Sequence, residues 1–408
     1  MARAMKPSGV EWIGSIPADW ELSKIKHNFT VYSGATPKSE FAANWDGNII
    51  WITPADYKTT DRYVSQGKRN ISATGYNSCG TTLVPKGSII FSKRAPIGTV
   101  AIAAVELCTN QGCLSCVPKA DTDSGYYCYV MSAFTEQFNF YGTGTTFKEI
   151  SYDVFCAFKV PRPPLDEQQR IAAFLDGECA RIDSVVEKTR ASIEEYRKLK
   201  QAIITRAVTK GIRPNRPTKD SGIDWLGDIP ADWELAQLKR FVFVNNGRET
   251  LDEVDKTEDV VPVYGSGGVF KYTTTPLYSG ETVMFGRKGT LGKPIYANEK
   301  LWTVDTMYFL TFSEKLFAKF NYYQLCAFDW EPHITQTALP SIVASEIVSC
   351  KFAFPPLDEQ KEIAAYLDEK TAAIDSLVAK KNRLVSELES LKKSLIFEYV
   401  TGKKEVPT

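Results

Sequence analysis

The chain has 408 residues, 43% of them hydrophobic and 12% aromatic, with 49 Lys+Arg against 49 Asp+Glu. That is enough for two or three ordinary domains with their own cores. The zero net charge excludes binding that rests on a uniformly basic chain, so any nucleic-acid footprint must be a local patch.

The start, MARAMKPSGVEW, has no apolar h-region, and no run of about 18 apolar residues follows, so neither a signal peptide nor a membrane span is expected. Nine cysteines show no disulfide-like framework. Free thiols and a cytoplasmic location are the simplest expectation. Residues 1–164 carry 16 Lys+Arg against 13 Asp+Glu, while 211–356 carry 15 against 18.

In chain order, 49–53, 88–92, 99–105 and 113–117 are short β-rich runs bounded by Gly, Pro and Asn. A helix is expected over 125–140, and the Gly-rich stretch 142–144 reads as a loop. Pro163 and Pro164 end what precedes, and a long helix pattern begins. Asp166 is expected as its N-cap, with Gln169 at the reciprocal capping-box position. Apolar residues at Ile182, Val185, Tyr196, Leu199 and Ile203 follow coiled-coil spacing, interrupted at Thr189. A helix over 166–209 would be roughly 65 Å long. Residues 211–220 (GIRPNRPTKD) read as a Pro-rich linker. Then come β-rich runs at 282–285, 294–297, 302–304 and 307–312, a loop at 264–268 (YGSGG) and a helix over 314–328. The second long helix pattern begins after Pro355 and Pro356, with Asp358 as the expected cap and Lys361 where the first copy has Gln169. Its seam is expected at Ile374, Leu377, Leu384, Leu388, Leu391 and Leu395, interrupted at Lys381.

These elements repeat. SGVEWIGSIPADWEL at 8–22 returns as SGIDWLGDIPADWEL at 221–235, an offset of 213, and PPLDEQ at 163–168 returns at 355–360, an offset of 192. The second globular part is therefore 21 residues shorter, and 41–80 has no counterpart in 245–275. A constant frame carries different middles, large enough for duplicated domains. The reading is an α+β fold. Two pseudo-symmetric globular domains are joined by two long helices that form an antiparallel coiled coil. The boundaries are 1–162, 163–210 (helix), 211–354 and 355–408 (helix). The alternative is that each helix packs only on its own globular part.

The order WxGxIPxxWE, variable β-rich region, PPLxEQ, then an IAxxLD helix start, all given twice, resembles the specificity subunit of Type I restriction-modification systems. The matching pieces are Trp12–Glu21, Pro163–Gln168 with Ile171–Asp176, Trp225–Glu234, and Pro355–Gln360 with Ile363–Asp368. The resemblance covers essentially the whole chain. It implies two target recognition domains, each reading half of a bipartite site in double-stranded DNA, with the helices as a ruler for the spacer. It also implies two methyltransferase subunits docked on the helices and an endonuclease/translocase subunit. Adenosylmethionine, ATP and Mg would belong to those partners, with no cofactor in this chain.

Ser92-Lys93-Arg94 through Gly98 parallels Gly286-Arg287-Lys288 through Gly292; each follows an apolar strand. The resemblance places this turn near DNA. Arg and Lys beside Gly can approach phosphates closely, and Arg can grip a guanine edge. The alternative is a surface turn with solvated charges. Further DNA-contact candidates are Arg62, Lys68, Arg69, Asn110, Gln111 and Lys148 in the first copy. Those of the second are Arg248, Lys271, Lys293, His333, Gln336 and Thr337. Cys113-x-x-Cys116 has metal-like spacing but no second ligand pair, so a buried strand is expected and no metal. Methyltransferase and ATP-loop motifs are absent, and Glu359-x-Lys361 reads as part of the repeated frame, so no catalytic residue is expected. Two other functions stay open: a coiled-coil scaffold without DNA binding, and a stand-alone nuclease or methyltransferase.

Overall fold

The computed structural model describes residues 3–144, 148–250, 252–257 and 260–407. The helices used below are α1 (Ser124–Ala133), α2 (Thr135–Tyr141), α3 (Tyr152–Ala157), α4 (Leu165–Lys210), α5 (Ala318–Ala327), α6 (Ala344–Ser349) and α7 (Leu357–Val400). The chain forms two compact units, Met1–Lys188 with Leu384–Thr408, and Thr189–Arg383. Each long helix is thus divided between them. No helix among the described residues is long and apolar enough to cross a membrane.

The first unit holds a five-stranded sheet of β1 (Phe29–Ser33), β2 (Tyr63–Val64), β3 (Ile89–Ser92), β4 (Val100–Ala103) and β5 (Cys113–Pro118), in the order β1-β5-β3-β4-β2. The run expected at 49–53 is two short strands, Trp45–Ile49 and Trp51–Ile52. The helix expected over 125–140 breaks at Phe134, whose buried ring turns the chain from α1 to α2. The sheet's inner face meets α1, α3 and the start of α4 in a core containing Phe91, Phe134, Phe138, Phe155, Ile171 and Leu175.

The second unit holds β6 (Val242–Asn246), β7 (Val261–Gly265), β8 (Gly268–Thr273), β9 (Tyr278–Gly286), β10 (Ile295–Thr303) and β11 (Met307–Phe312), in the order β6-β11-β9-β10-β7-β8. The stretches 294–297 and 302–304 are one strand, not two. YGSGG is not a free loop; Tyr264, Gly265 and Gly268 lie in the β7–β8 hairpin, with the turn at 266–267. Its core includes Phe285, Phe320, Phe352, Ile363 and Leu367.

The duplicated blocks meet within each unit, which explains why they repeat. In the first, buried Trp20 donates its indole N–H to Glu167 Oε2 at 2.9 Å, and Arg3 grips Glu167 at 2.5 Å and Asp19 at 2.7 Å. In the second, Trp233 donates to Glu359 Oε2 at 3.3 Å, while Arg216 pairs with Glu359 and, at 2.6 Å, with Asp232. Neighbouring Gln168 and Gln360 are buried. Each donates its amide back to a proline carbonyl of its own PP pair at 2.9 Å. Each also accepts a backbone N–H from the sheet domain, from Asp123 at 2.9 Å and from Phe317 at 2.8 Å. The DEQ block is therefore a clamp between domain and helix, and Glu359 is part of it.

Two details of the helices correct the expectations. The first long helix begins at Leu165, so Asp166 sits in its first turn instead of capping it, and Gln169 is exposed. Pro164 already provides the carbonyl that accepts the N–H groups of Glu167 and Gln168. The second begins at Leu357, which moves Asp358 inside in the same way.

Within each unit the helix segments run antiparallel, with numbering rising on one and falling on the other. Phe174 packs on Tyr399, and Lys392 Nζ lies 2.6 Å from Asp183. In the second unit Lys200 Nζ lies 2.6 Å from Asp375, and Lys381 sits over the Tyr196 ring. Ile182 and Ile374 are buried as expected, and Leu388, Leu395, Tyr196 and Ile203 are half-buried. Val185, Leu199, Leu377, Leu384 and Leu391 are exposed, because the seam runs one residue over. In the first unit it passes through Val186 on α4 and Val385, Leu388 and Lys392 on α7; in the second it passes through Thr189 and Ile193 on α4 and Val378 and Lys381 on α7. Lys381 and Thr189 belong to the seam; they do not interrupt it. Lysine can serve there because its alkyl stem covers apolar surface while the ammonium reaches an aromatic ring or an aspartate.

Candidate nucleic-acid interface

One end of each sheet is built to the same plan. β1 leads into Gly34, whose N–H donates to Cys113 O at 3.2 Å, and Ala35 N–H donates to Thr109 O at 3.0 Å. β6 leads into Gly247, whose N–H donates to Met307 O at 3.0 Å, and Arg248 N–H donates to Thr303 O at 2.9 Å. A Cβ on Gly34 would fall 2.1 Å from Asn110 O, and one on Gly247 1.9 Å from Val304 O. Only glycine permits that approach. A tryptophan indole then donates to the next carbonyl, Trp51 to Ala35 at 3.0 Å and Trp302 to Arg248 at 2.7 Å. The two tryptophans come from non-equivalent places in the chain, so the frame is shared and the middle is not.

The basic turns rise from this end, since Ser92 pairs with Cys113, and Gly286 with Met307. In the first unit the Lys93 N–H donates to Gly112 O at 2.9 Å, which brings Asn110 and Gln111 beside the turn. The Asn110 amide oxygen accepts the Gly112 N–H, and Gln111 is bonded to Thr36. In the second unit the Arg287 N–H donates to Thr306 O at 2.7 Å, and Ser266 Oγ accepts the Thr290 N–H at 3.0 Å. Each turn carries a loop ahead of the next helix. Ile150 N–H donates to Lys93 O at 3.0 Å, and Ile342 N–H to Arg287 O at 3.0 Å. These bonds hold Ile150 and Ile342 at equivalent positions on the two turns.

The electrostatics differ between the copies. Lys93 Nζ lies 2.8 Å and Arg94 Nε 2.7 Å from the two oxygens of Glu149. Burial by itself would raise the Glu149 carboxyl. Hydrogen bonds from Lys93 and Arg94 outweigh it and hold the group below its ordinary value. Arg248, Arg287 and Lys288 form no ion pair among the described residues, and Arg248 and Arg287 are exposed. The first turn is charge-compensated and the second is open.

The remaining candidates divide. Lys148, Gln336 and Thr337 are exposed on the two loops, and Lys293 is exposed just beyond the second turn. Lys68 and Arg69 are exposed on the insertion between β2 and β3, where Arg69 stacks 4.1 Å over Trp45 and pairs with Asp46. Lys271 lies on β8, 3.7 Å from Glu253. Two candidates are engaged within the protein. Arg62 lies 4.1 Å over the Tyr129 ring, donates to Gly125 O at 3.1 Å and pairs with Asp176 at 2.9 Å. It ties sheet to helix and is half-buried. His333 stacks on Phe328, with Nε2 3.7 Å from Cys350 Sγ, and packs in the same way. Cys113 and Cys116 stand on opposite faces of β5, one with Ile52 and Tyr57 and the other in the main core, so they cannot share an ion. Burial pushes the Cys113 thiol up to about 12 and Cys116 further, away from the thiolate that metals bind. Sequence reasoning missed Glu149, Ser266 and Leu339. Only the last had a signal, an apolar residue inside a polar loop.

Comparison with known proteins agrees with this construction. The family model for the Type I restriction modification DNA specificity domain matches residues 17–195 and 230–386. The chain is 33% identical over 239 residues to the type I restriction enzyme MjaIX specificity subunit of Methanocaldococcus jannaschii, covering 58% of this chain and 54% of that protein. Against the MjaVIII specificity subunit of the same organism it is 27% identical, over 64% of this chain and 66% of that protein. It thus spans about half to two-thirds of these two relatives. The putative MjaX specificity subunit, also from that organism, is 26% identical across 97% of this chain and 96% of its own length. Among solved structures, a chain from work on complex assembly and conformational transition of the type I R-M system is 15% identical. It superposes with a TM-score of 0.75, covering 95% of this chain and 99% of that one. The HsdS subunit from Thermoanaerobacter tengcongensis is 17% identical and gives 0.53, covering 95% and 98%. With its specificity domain matched twice over most of its length, the chain belongs to the Type I restriction-modification DNA specificity family.

Proposed function

We propose that this chain is the non-catalytic DNA-reading subunit of a type I restriction-modification complex, and that each unit reads one half of a bipartite, interrupted site. The observation that carries this is the shared sheet end. Glycine, basic turn and suspended loop are held by the same backbone bonds in both copies, while the side chains they present differ. A conserved mount with exchanged contact residues is what reading two different half-sites needs, because phosphate contacts position the protein and base contacts specify. Arg287 and Arg248 supply open cations in the second unit; in the first, Lys148 is exposed, while Lys93 and Arg94 reach phosphates by exchanging Glu149 for them. The long helices keep exposed leucines, Leu384 and Leu391 in the first unit and Leu377 in the second, as surfaces for two methyltransferase subunits. An endonuclease/translocase subunit completes the assembly. Adenosylmethionine, ATP and Mg are bound by those partners.

The test is the methylation pattern of host DNA with and without this gene. Adenine methylation at a two-part motif that disappears on deletion supports the reading. Methylation that persists unchanged contradicts it. A purified chain that binds duplex DNA at no salt concentration would instead make it a protein scaffold, since phosphate binding strengthens as salt falls.

A further inference from the structure

Each sheet end closes on one tight turn, and the two turns match bond for bond. In the first unit the Cys113 N–H donates to Asn110 O at 3.1 Å, so Gln111 and Gly112 are the central residues. In the second the Met307 N–H donates to Val304 O at 3.0 Å, with Asp305 and Thr306 in the centre. The flanking chain is tied to each turn by the same backbone bonds. On one side Ala35 donates to Thr109, as Arg248 donates to Thr303. On the other Lys93 donates to Gly112, as Arg287 donates to Thr306. Gln111 and Asp305 therefore occupy one and the same position, and both are exposed.

Asp305 has no local structural task. An Asx residue in a turn ordinarily accepts a backbone N–H two residues on. Asn110 does this for the Gly112 N–H at 2.9 Å. Asp305 takes part in no hydrogen bond or ion pair among the described residues, although Arg248 and Arg287 are mounted on either side of its turn. A carboxylate on a phosphate-facing surface opposes binding. It becomes useful where the duplex offers a donor, and the major-groove donors are the amino groups of cytosine and adenine. Gln111 is prepared differently. The Thr36 hydroxyl donates to Gln111 Oε1. That leaves one lone pair of the amide oxygen and both amide N–H groups, the set that adenine N6 and N7 accept and fill.

We propose that the residue at this turn tip is the base reader of each unit, Asp305 for the N4 amino group of a cytosine and Gln111 for the edge of an adenine. This rests on the DNA-reading function above and names the residue that specifies in each half. Arg248 and Arg287 supply the donors that guanine O6 and N7 accept, so the second unit suits a G·C-containing half-site. The carboxylate also rejects thymine and guanine, whose major-groove edges carry acceptors and no donor.

The test uses the full chain assembled with its methyltransferase partners, without adenosylmethionine. Competition binding compares duplexes in which every position of the mapped site carries each base pair in turn. Asp305→Ala loses about 10-fold of discrimination at one C·G position in one half-site and none in the other. Replacing that cytosine with 2-pyrimidinone, which lacks the amino group, costs the parent complex a similar factor and leaves the variant unchanged. On a scrambled duplex Asp305→Ala binds more tightly, because a negative charge has left the phosphate-facing surface. A residue that only shaped the turn would not produce that rise. Gln111→Ala relaxes an A·T position in the other half-site. Both side chains are exposed, so the variants fold, and circular dichroism checks this. The reader assignment is overturned if Asp305→Ala keeps the parent's preference at every position, if the position it relaxes holds no C·G pair, if both halves relax together, or if Gln111→Ala relaxes no A·T position. If the parent complex does not prefer its mapped site to a scrambled duplex, the DNA-reading function itself fails.

Discussion

Glu149→Gln isolates the difference between the two basic turns. The carboxylate lies 2.8 Å from Lys93 and 2.7 Å from Arg94, whose side chains are 14% and 43% exposed. Removing its charge leaves the geometry of the turn, because the backbone bonds from Ile150 to Lys93 and between Thr143 and Glu149 remain. Partly exposed pairs of this kind contribute at most about 1 kcal/mol each, so the loss of stability is about 1 kcal/mol, or roughly 2–4 °C in Tm. The gain is in DNA binding. Each cation released to a phosphate steepens the salt dependence of log K by about 0.9. Between 200 and 50 mM salt the variant-to-parent affinity ratio on a scrambled duplex then rises about 3- to 4-fold for one contact and roughly 12-fold for two. Fluorescence anisotropy over a salt series reads this directly. An unchanged or shallower slope would refute the reasoning, since the two cations would not be available to phosphates. The pH dependence has a definite sign. Glu149 is held below its ordinary value near 4.5, so its stabilising contribution is present above that pH and is lost as pH falls through the lower folded value. The Tm difference between parent and variant should therefore shrink to nothing in acid.

Arg287→Ala removes an open cation, so the salt slope should fall by about 0.9. Sequence preference in one half-site should also relax if the guanidinium grips a guanine, at about 1–3 kcal/mol; competition binding separates the two. Glu359 is 3% exposed and accepts from both Trp233 and Arg216, so Glu359→Ala should cost about 1–3 kcal/mol by leaving the buried Trp233 N–H without its acceptor and Arg216 with Asp232 alone, seen as a fall in Tm by calorimetry. Val385→Ala, in the buried seam, should cost about 1–2 kcal/mol. Exposed Leu384→Ala should cost under about 0.5 kcal/mol while weakening assembly with the methyltransferase in size-exclusion chromatography.

The frame was legible because its residues act close to where the sequence repeats them. Trp20 with Glu167 and Trp233 with Glu359 join the duplicated blocks directly, so the repeats mark the clamp. The helix seam was legible in period but not in phase. Leu377, Leu384 and Leu391 are the more hydrophobic choice, yet Val378, Lys381 and Val385 face the partner helix. A lysine in a seam becomes intelligible only once Tyr196 or Asp183 is seen opposite it. Individual contact residues were the least legible. Arg62 has the composition of a DNA contact, but Tyr129 and Asp176, more than 60 residues away, take it up. Lys93 and Arg94 look free until Glu149 arrives across some 55 residues of chain. Pairing at that range is set by topology, which local spacing does not encode.

The central claim is that the two units read separate half-sites through exchangeable middles on a common frame. It is tested most directly by replacing residues 41–150 with the corresponding segment of another family member and mapping methylated sites in the host. The account predicts a new motif in one half of the site, with the other half and the spacer unchanged. A swap that altered both halves, or left the motif as it was, would contradict it.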